Sequence, residues 1–277
     1  MRKHQQQYMI DVLKLEECFE NVIFIDKNHS YKINGNNARC SVTTLLKKYT
    51  PEFKGEGPAK FIAAKRGVSI DDVLAEWDYK KEYSCHKGTE FHKFAENYLA
   101  RKQTSLDEVA AKQFFTNKNT MNVLSDFKNY KNEMLSMISN FLKFYNWYKE
   151  TYTIVKSELV IGDVDTKICG TIDNLSLNKK TGELAIFDYK TNQNIKTEGY
   201  KKETLLEPFK HLQNCEMVKY SLQLWIYKLI LEKNTSYKVG DLFIVWVAKE
   251  GNYELIPTLD LSIEANKILD AEYNILC

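Results

Sequence analysis

Asp173, Asp188 and Lys190 stand on two neighbouring segments, KICGTIDNLSL and ELAIFDYK, separated by the turn signal at residues 179–182. A four-residue loop there makes Asn178 face Glu183 and fixes the register of every later pair. It predicts Leu177 opposite Leu184, Leu175 opposite Ile186, Asp173 opposite Asp188, and Thr171 opposite Lys190. Opposed carboxylates of this kind have Cβ atoms about 5 Å apart, and they repel unless a cation or a proton lies between them. Hard oxygen donors suit Mg²⁺ or Mn²⁺, and Lys190 would add a positive charge on the same face. A DxK tripeptide alone is usually a solvated ion pair at a strand end, so further features must supply the weight.

Two helical motifs do so. In HKGTEFHKFAEN, Thr89, His92 and Glu96 fall at i, i+3 and i+7 and share one helix face. A lone histidine there is ordinarily packed in a core; beside the hairpin it becomes a candidate metal ligand, with Thr89 and Glu96 as candidate supporting groups. His86 is read as lying before that helix and as structural. In KYSLQLWIYKLIL, Gln223 and Tyr227 are i, i+4 neighbours on an otherwise apolar helix. They either bond each other in the core or face the Lys190 side of the sheet. If residues 162–165 form a turn, Glu158 faces Cys169 and shares the face of Asp173, as a supporting acid or as a solvated glutamate.

These residues need a sheet and flanking helices to bring them together. VIFID and YKIN read as short strands followed by a loop, GNNARC; Ser69 with Asp72 reads as a helix start, and residues 88–102 and 126–150 carry helical spacing. TIVKSELVI, KICGTIDNLSL and ELAIFDYK form a predicted meander. A helix over residues 216–233, strands DLFIVWVA and NYELIPT, and a last helix from Ser262 follow. With 277 residues, 44% hydrophobic and 27% charged, the chain is globular and allows one large α/β domain. No repeat or linker divides it. We expect a single unit over 1–277, with an N-terminal hairpin and helical extension (1–83) and a core (84–277) carrying a helical insertion at 103–150.

The longest apolar run, residues 242–248, is too short to span a bilayer and the start has no signal-peptide segment, so a soluble, cytoplasmic protein with no membrane partner is expected. Six scattered cysteines without a CxxC suggest neither a disulfide framework nor a zinc ribbon. A net charge of +2 provides no global field for polyanions. Only Arg2, Arg39, Arg66 and Arg101 are arginines, which disfavours bidentate reading of bases.

Taken in order, GTEFH, GTID, DYK and QLWIY resemble the PD-(D/E)XK nuclease superfamily over residues 88–227, and specifically its RecB-like branch, which includes the mitochondrial genome maintenance exonuclease. The stretch SVTTLLKKYTPEF with Trp77 is similar to phage-encoded members. The resemblance implies a restriction-endonuclease-like α/β (α+β) core with a mixed central sheet flanked by helices. It also implies Mg²⁺ or Mn²⁺ held by His92, Asp173, Asp188 and the backbone carbonyl of Tyr189. Lys190 would sit near the attacking water, and Gln223 and Tyr227 would support Lys190 or hold the substrate strand. The residue before Asp173 is Ile172 where the family pattern has proline. Relatives with an iron–sulfur cluster carry a cysteine group after the QxxxY helix, whereas only Cys277 follows Tyr227 here, so no cluster is expected. The expected activity is a deoxyribonuclease acting on DNA ends or single strands. The alternative is a nuclease-like DNA-binding module without turnover, and a hydrolase of small phosphate esters is disfavoured for want of a Gly-rich phosphate loop.

Overall fold

The computed structural model describes residues 13–105, 108–117 and 123–274. Arg2, Cys277 and the amino-terminal stretch before residue 13 lie outside them, as does part of the 103–150 insertion. Three long runs of β-favouring residues become consecutive antiparallel strands: β5 (Tyr152–Asp163), β6 (Ile168–Asn178) and β7 (Leu184–Lys190). They belong to a mixed six-stranded sheet. β8 (Val239–Trp246) lies parallel to β7, β9 (Glu254–Pro257) lies antiparallel to β8, and the two-residue β4 (Cys40–Ser41) lies parallel to the start of β6.

Helices cover both faces. On one face, α1 (Val42–Lys47), α6 (Glu216–Asn234) and α7 (Ser262–Asn274) bury Leu45, Leu224, Ile230 and Ile268 against Leu175, Ile186 and Ile244. On the other, α3 (Ile70–Leu99), α4 (Glu108–Asn117) and α5 (Val123–Thr151) bury Phe91, Phe115, Phe141 and Phe144 against Phe187, Tyr189 and Val245. The strand alternation sorts the two sets, since successive side chains of β7 point to opposite faces. This is the mixed α/β architecture, with a mixed central sheet between helices, expected of a restriction-endonuclease-like core. A small separate sheet, β1 (Val22–Ile25), β2 (Ser30–Ile33) and β3 (Asn36–Asn37), precedes it, and α2 (Glu56–Arg66) packs on the first turns of α3.

Three local readings change. Segment GNNARC is not a plain loop, because β3 and β4 form within it. Residues 70–99 are one helix rather than two: Ser69 and Asp72 make the capping box, but the helix then runs through His86 and Gly88 without a break. His86 therefore lies inside α3, its ring stacked on Phe114 with centroids 4.5 Å apart, and burial holds its imidazole below the usual pKa. Finally, the turn between β5 and β6 is at residues 164–167, not 162–165. Asp163 accepts from the Thr166 N–H and hydroxyl and is paired with Lys233, which fixes the turn after it. Gly162 stays in the strand, where an added Cβ would lie 3.0 Å from Cys169 Sγ and 3.1 Å from Val22.

Candidate active site

The hairpin register is the one the loop length requires: Leu177 opposes Leu184, Leu175 opposes Ile186, and Asn174 opposes Phe187. Beyond that pair the strands part, so the expected pairing of Asp173 with Asp188 and of Thr171 with Lys190 does not form. β7 stays in the sheet through β8, with Lys190 paired to Trp246. β6 instead turns its free edge to β4, through Ile168 and Cys169. Asp173 sits at the fork, and its Oδ2 accepts from the Tyr189 N–H at 2.8 Å, so a carboxylate replaces the backbone acceptor that a continued ladder would supply. Tyr189 is tied to β6 a second time, since Asn174 Nδ2 donates to its hydroxyl at 2.8 Å.

The open fork lets side chains from both helical layers meet in the plane of the sheet. From α3, His92 Nδ1 lies 3.5 Å from Asp173 Oδ2 and 3.9 Å from Glu158 Oε1. Ligand atoms of His92, Glu158 and Asp173 all fall within 4.8 Å of one another. From α6, Gln223 Nε2 donates to Asp188 Oδ1 at 3.4 Å and to the Tyr227 hydroxyl at 3.1 Å. Lys190 Nζ lies 2.6 Å from Asp188 Oδ2 and 4.5 Å above the Tyr220 ring. Tyr227 reaches this position by lying flat on Gly170, where a Cβ would come within 2.3 Å of its ring.

Glu158 is better placed than its sequence suggests. With the turn at 164–167, Ser157 opposes Asn174 and Leu159 opposes Ile172, so Glu158 lies across from Asp173 and not Cys169. Its φ of +50° is left-handed, a backbone state that costs a non-glycine residue about 1–3 kcal/mol and tends to gather at functional sites. Thr89 and Glu96 are on α3 with His92, and Glu96 is not among the acids that cluster with it. Asp188 also stands outside that cluster, being engaged by Lys190 and Gln223. Two further residues at the site carry no distinguishing signal in the sequence. Tyr220 supports Lys190 and donates to Asn192 Oδ1 at 2.8 Å, and the Tyr31 hydroxyl is 2.9 Å from Thr171 Oγ1.

Electrostatics mark the site as a place for a cation. Burial drives the Asp188 carboxyl up to about 6 despite Lys190 beside it, and drives Asp173 upward despite His92. Burial opposes charge on His92, yet Asp173 and Glu158 outweigh it and raise the imidazole to about 9. Lys190 likewise stays above its usual value, since Asp188 and Asp173 overcome its burial. One imidazole nitrogen and two carboxylates, converging beside a buried carboxylate–lysine pair, suit a hard divalent ion. The PD-(D/E)XK nuclease superfamily model matches residues 64–269, a stretch that contains all of these groups except Tyr31. No curated protein matches the chain.

Proposed function

The chain belongs to the PD-(D/E)XK nuclease superfamily, and from that premise we propose that it is a Mg²⁺- or Mn²⁺-dependent deoxyribonuclease working from DNA ends or on single strands. Members of the family are hydrolases that use divalent metals. The observation that carries the reading is the convergence of His92, Glu158 and Asp173 at the fork that also holds Asp188 and Lys190. A divalent ion held there supplies Lewis acidity toward a phosphate oxygen and an acidified water.

His92, Asp173 and Glu158 would hold the ion, joined by Asp188 and the Tyr189 carbonyl. Lys190 would release Asp188 and turn its ammonium to the phosphate, where negative charge grows in the transition state. Gln223 and Tyr227 would keep Asp188 oriented during that exchange. The scarcity of arginine supports the absence of base-specific reading. Among the described residues no helix is long and apolar enough to cross a membrane. We place the protein in the cytoplasm, with a phage origin in keeping with the N-terminal resemblance, and expect it to be colourless for want of an iron–sulfur cluster.

The test is digestion of an end-labelled single strand, a linear duplex and a closed circular plasmid with Mn²⁺ and with EDTA. Loss of the linear substrates from their ends, abolished by EDTA, is the expected result. Undiminished cleavage in EDTA removes the metal assignment, and discrete fragments from the circle remove the end preference. Binding without cleavage under all conditions identifies a DNA-binding module without turnover.

A further inference from the structure

A cavity of about 870 Å³ opens directly beyond Lys190, between α3, α5 and residues 191–193. Its walls offer the rings of Tyr79 and Tyr83, the amides of Asn192 and Gln193, and Ser84 and Cys85. The carboxylates in it are largely engaged: Glu133 pairs with Lys87, and Asp126 accepts from the Tyr79 hydroxyl. Its lysines are committed as well, Lys87 to Glu133 and Lys80 to Glu76, so the lining offers aromatic surface and hydrogen-bond partners to a nucleobase and no unpaired cation to a phosphate.

The positive charge lies next to it, at the far end of α3. Between residues 47 and 66, six basic side chains stand against only Glu52 and Glu56, in a chain whose net charge is +2. On α2, Phe61 is 72% exposed and flanked by Lys60 and Lys65, neither of which forms an ion pair among the described residues. Phe53, 74% exposed, meets Trp77 of α3 with ring centroids 6.0 Å apart. Trp77 precedes Tyr79 by two residues and Tyr83 by six on the same helix, so it faces α2 while they face the cavity, and a strand passing from one to the other crosses over α3. At 1.5 Å per residue it stands about 22 Å from His92. Exposed aromatic rings interleaved with lysines, beside a cavity whose wall includes the residues that directly follow Lys190, are the parts of a single-strand track. Most of the basic segment precedes residue 64, where the family match begins.

We propose that an unpaired nucleic-acid strand runs along α3 from the Phe53, Phe61 and Trp77 surface to Lys190, with its bases in the cavity and its phosphates toward Lys54, Lys60 and Lys65. This rests on the nuclease reading and gives it a substrate form, because a duplex cannot turn its bases into the cavity. Two readouts test it on the full chain in EDTA, where nothing is cut. The first is the rate at which N-ethylmaleimide alkylates Cys85, with exposed Cys18 as the internal reference. The second is anisotropy of a labelled 20-residue oligothymidylate and of a blunt duplex.

The single strand should slow alkylation of Cys85 at least fivefold without protecting Cys18, and the duplex should not. Ser84→Trp, which fills the cavity, and Phe61→Ala combined with Lys60→Glu should each weaken single-strand binding roughly tenfold, about the effect of one lost stacked base. Equal protection by duplex, no protection, or wild-type binding by both variants overturns the inference. So does association of α2 with anionic vesicles that leaves Cys85 unprotected by the strand. Wild-type cleavage with Mn²⁺, run in parallel, separates the two readings. A strand that protects Cys85 but is never cut refutes the nuclease and leaves the track, whereas cutting without protection does the reverse.

Discussion

His92 is protonated at neutral pH in the metal-free protein, because Asp173 and Glu158 outweigh its burial and raise it to about 9. A divalent ion that takes this nitrogen must displace the proton. Metal affinity should therefore climb with pH, by up to tenfold per unit, and level off above about 9. Mn²⁺ calorimetry in buffers of different ionisation enthalpy should show close to one proton released near pH 7; zero release would remove His92 from the ligand set. The sign for stability is opposite. A folded pKa above the unfolded value of about 6.5 means that the imidazolium contact stabilises the metal-free fold fully below that value, and the contribution is lost as pH rises through about 9. Glu158→Gln should weaken Mn²⁺ binding and lower the His92 pKa together. The strands that carry Asp173, Asp188 and Lys190 are legible because alternation and one loop length fix the hairpin register as far as Asn174 and Phe187; the fork beyond that pair has no local signature. Glu158 was misread because Gly162 looks like a turn glycine and is instead a packing glycine against Val22 and Cys169. Tyr220 went unseen since an aromatic on an apolar helix looks like any core residue until Lys190 is placed over it.

At the scale of elements, α6 is locked to β6 where Tyr227 covers Gly170. In Gly170→Ala the new Cβ meets the ring at 2.3 Å, so the ring must move and the helix is expected to shift with it. Overpacking of this kind costs about 1–3 kcal/mol, and urea unfolding should register that loss alongside reduced cleavage; wild-type stability would show that the ring simply moves aside. Gln223→Ala removes one long hydrogen bond to Asp188 and should slow cleavage less than loss of Lys190 does, as a positioning group would. The strands of the meander, α6 and α7 were readable from periodicity and turn residues. The continuity of α3 was not. Gly88 and His86 resemble a break in a local reading, but a helical glycine costs only about 1 kcal/mol. Here α3 passes so close to β7 that a Cβ at position 88 would lie 3.3 Å from Thr191 Oγ1. The long-range contact that favours glycine there has no local signature.

For the whole molecule, the sheet is sandwiched between two helical layers, and the fork between β6 and β7 is where groups from both layers meet. His92 arrives from one layer and Gln223 from the other, which is why four motifs far apart in sequence share one site. With 39 basic and 37 acidic residues, the molecule has little general attraction for a polyanion, so its chemistry must rest on this local arrangement. On the proposed reading, Lys190, paired with Asp188 at 2.6 Å in the resting site and not itself a metal ligand, is the group whose charge would matter most as the phosphate becomes more negative. Single-turnover cleavage of a labelled single strand by Lys190→Ala at saturating Mn²⁺ tests this directly. The rate should fall about a hundred- to a thousandfold, the usual cost of one preorganised electrostatic donor, with Mn²⁺ still bound; a rate near wild type would mean that the DYK segment is structural and that this site is not the nuclease centre.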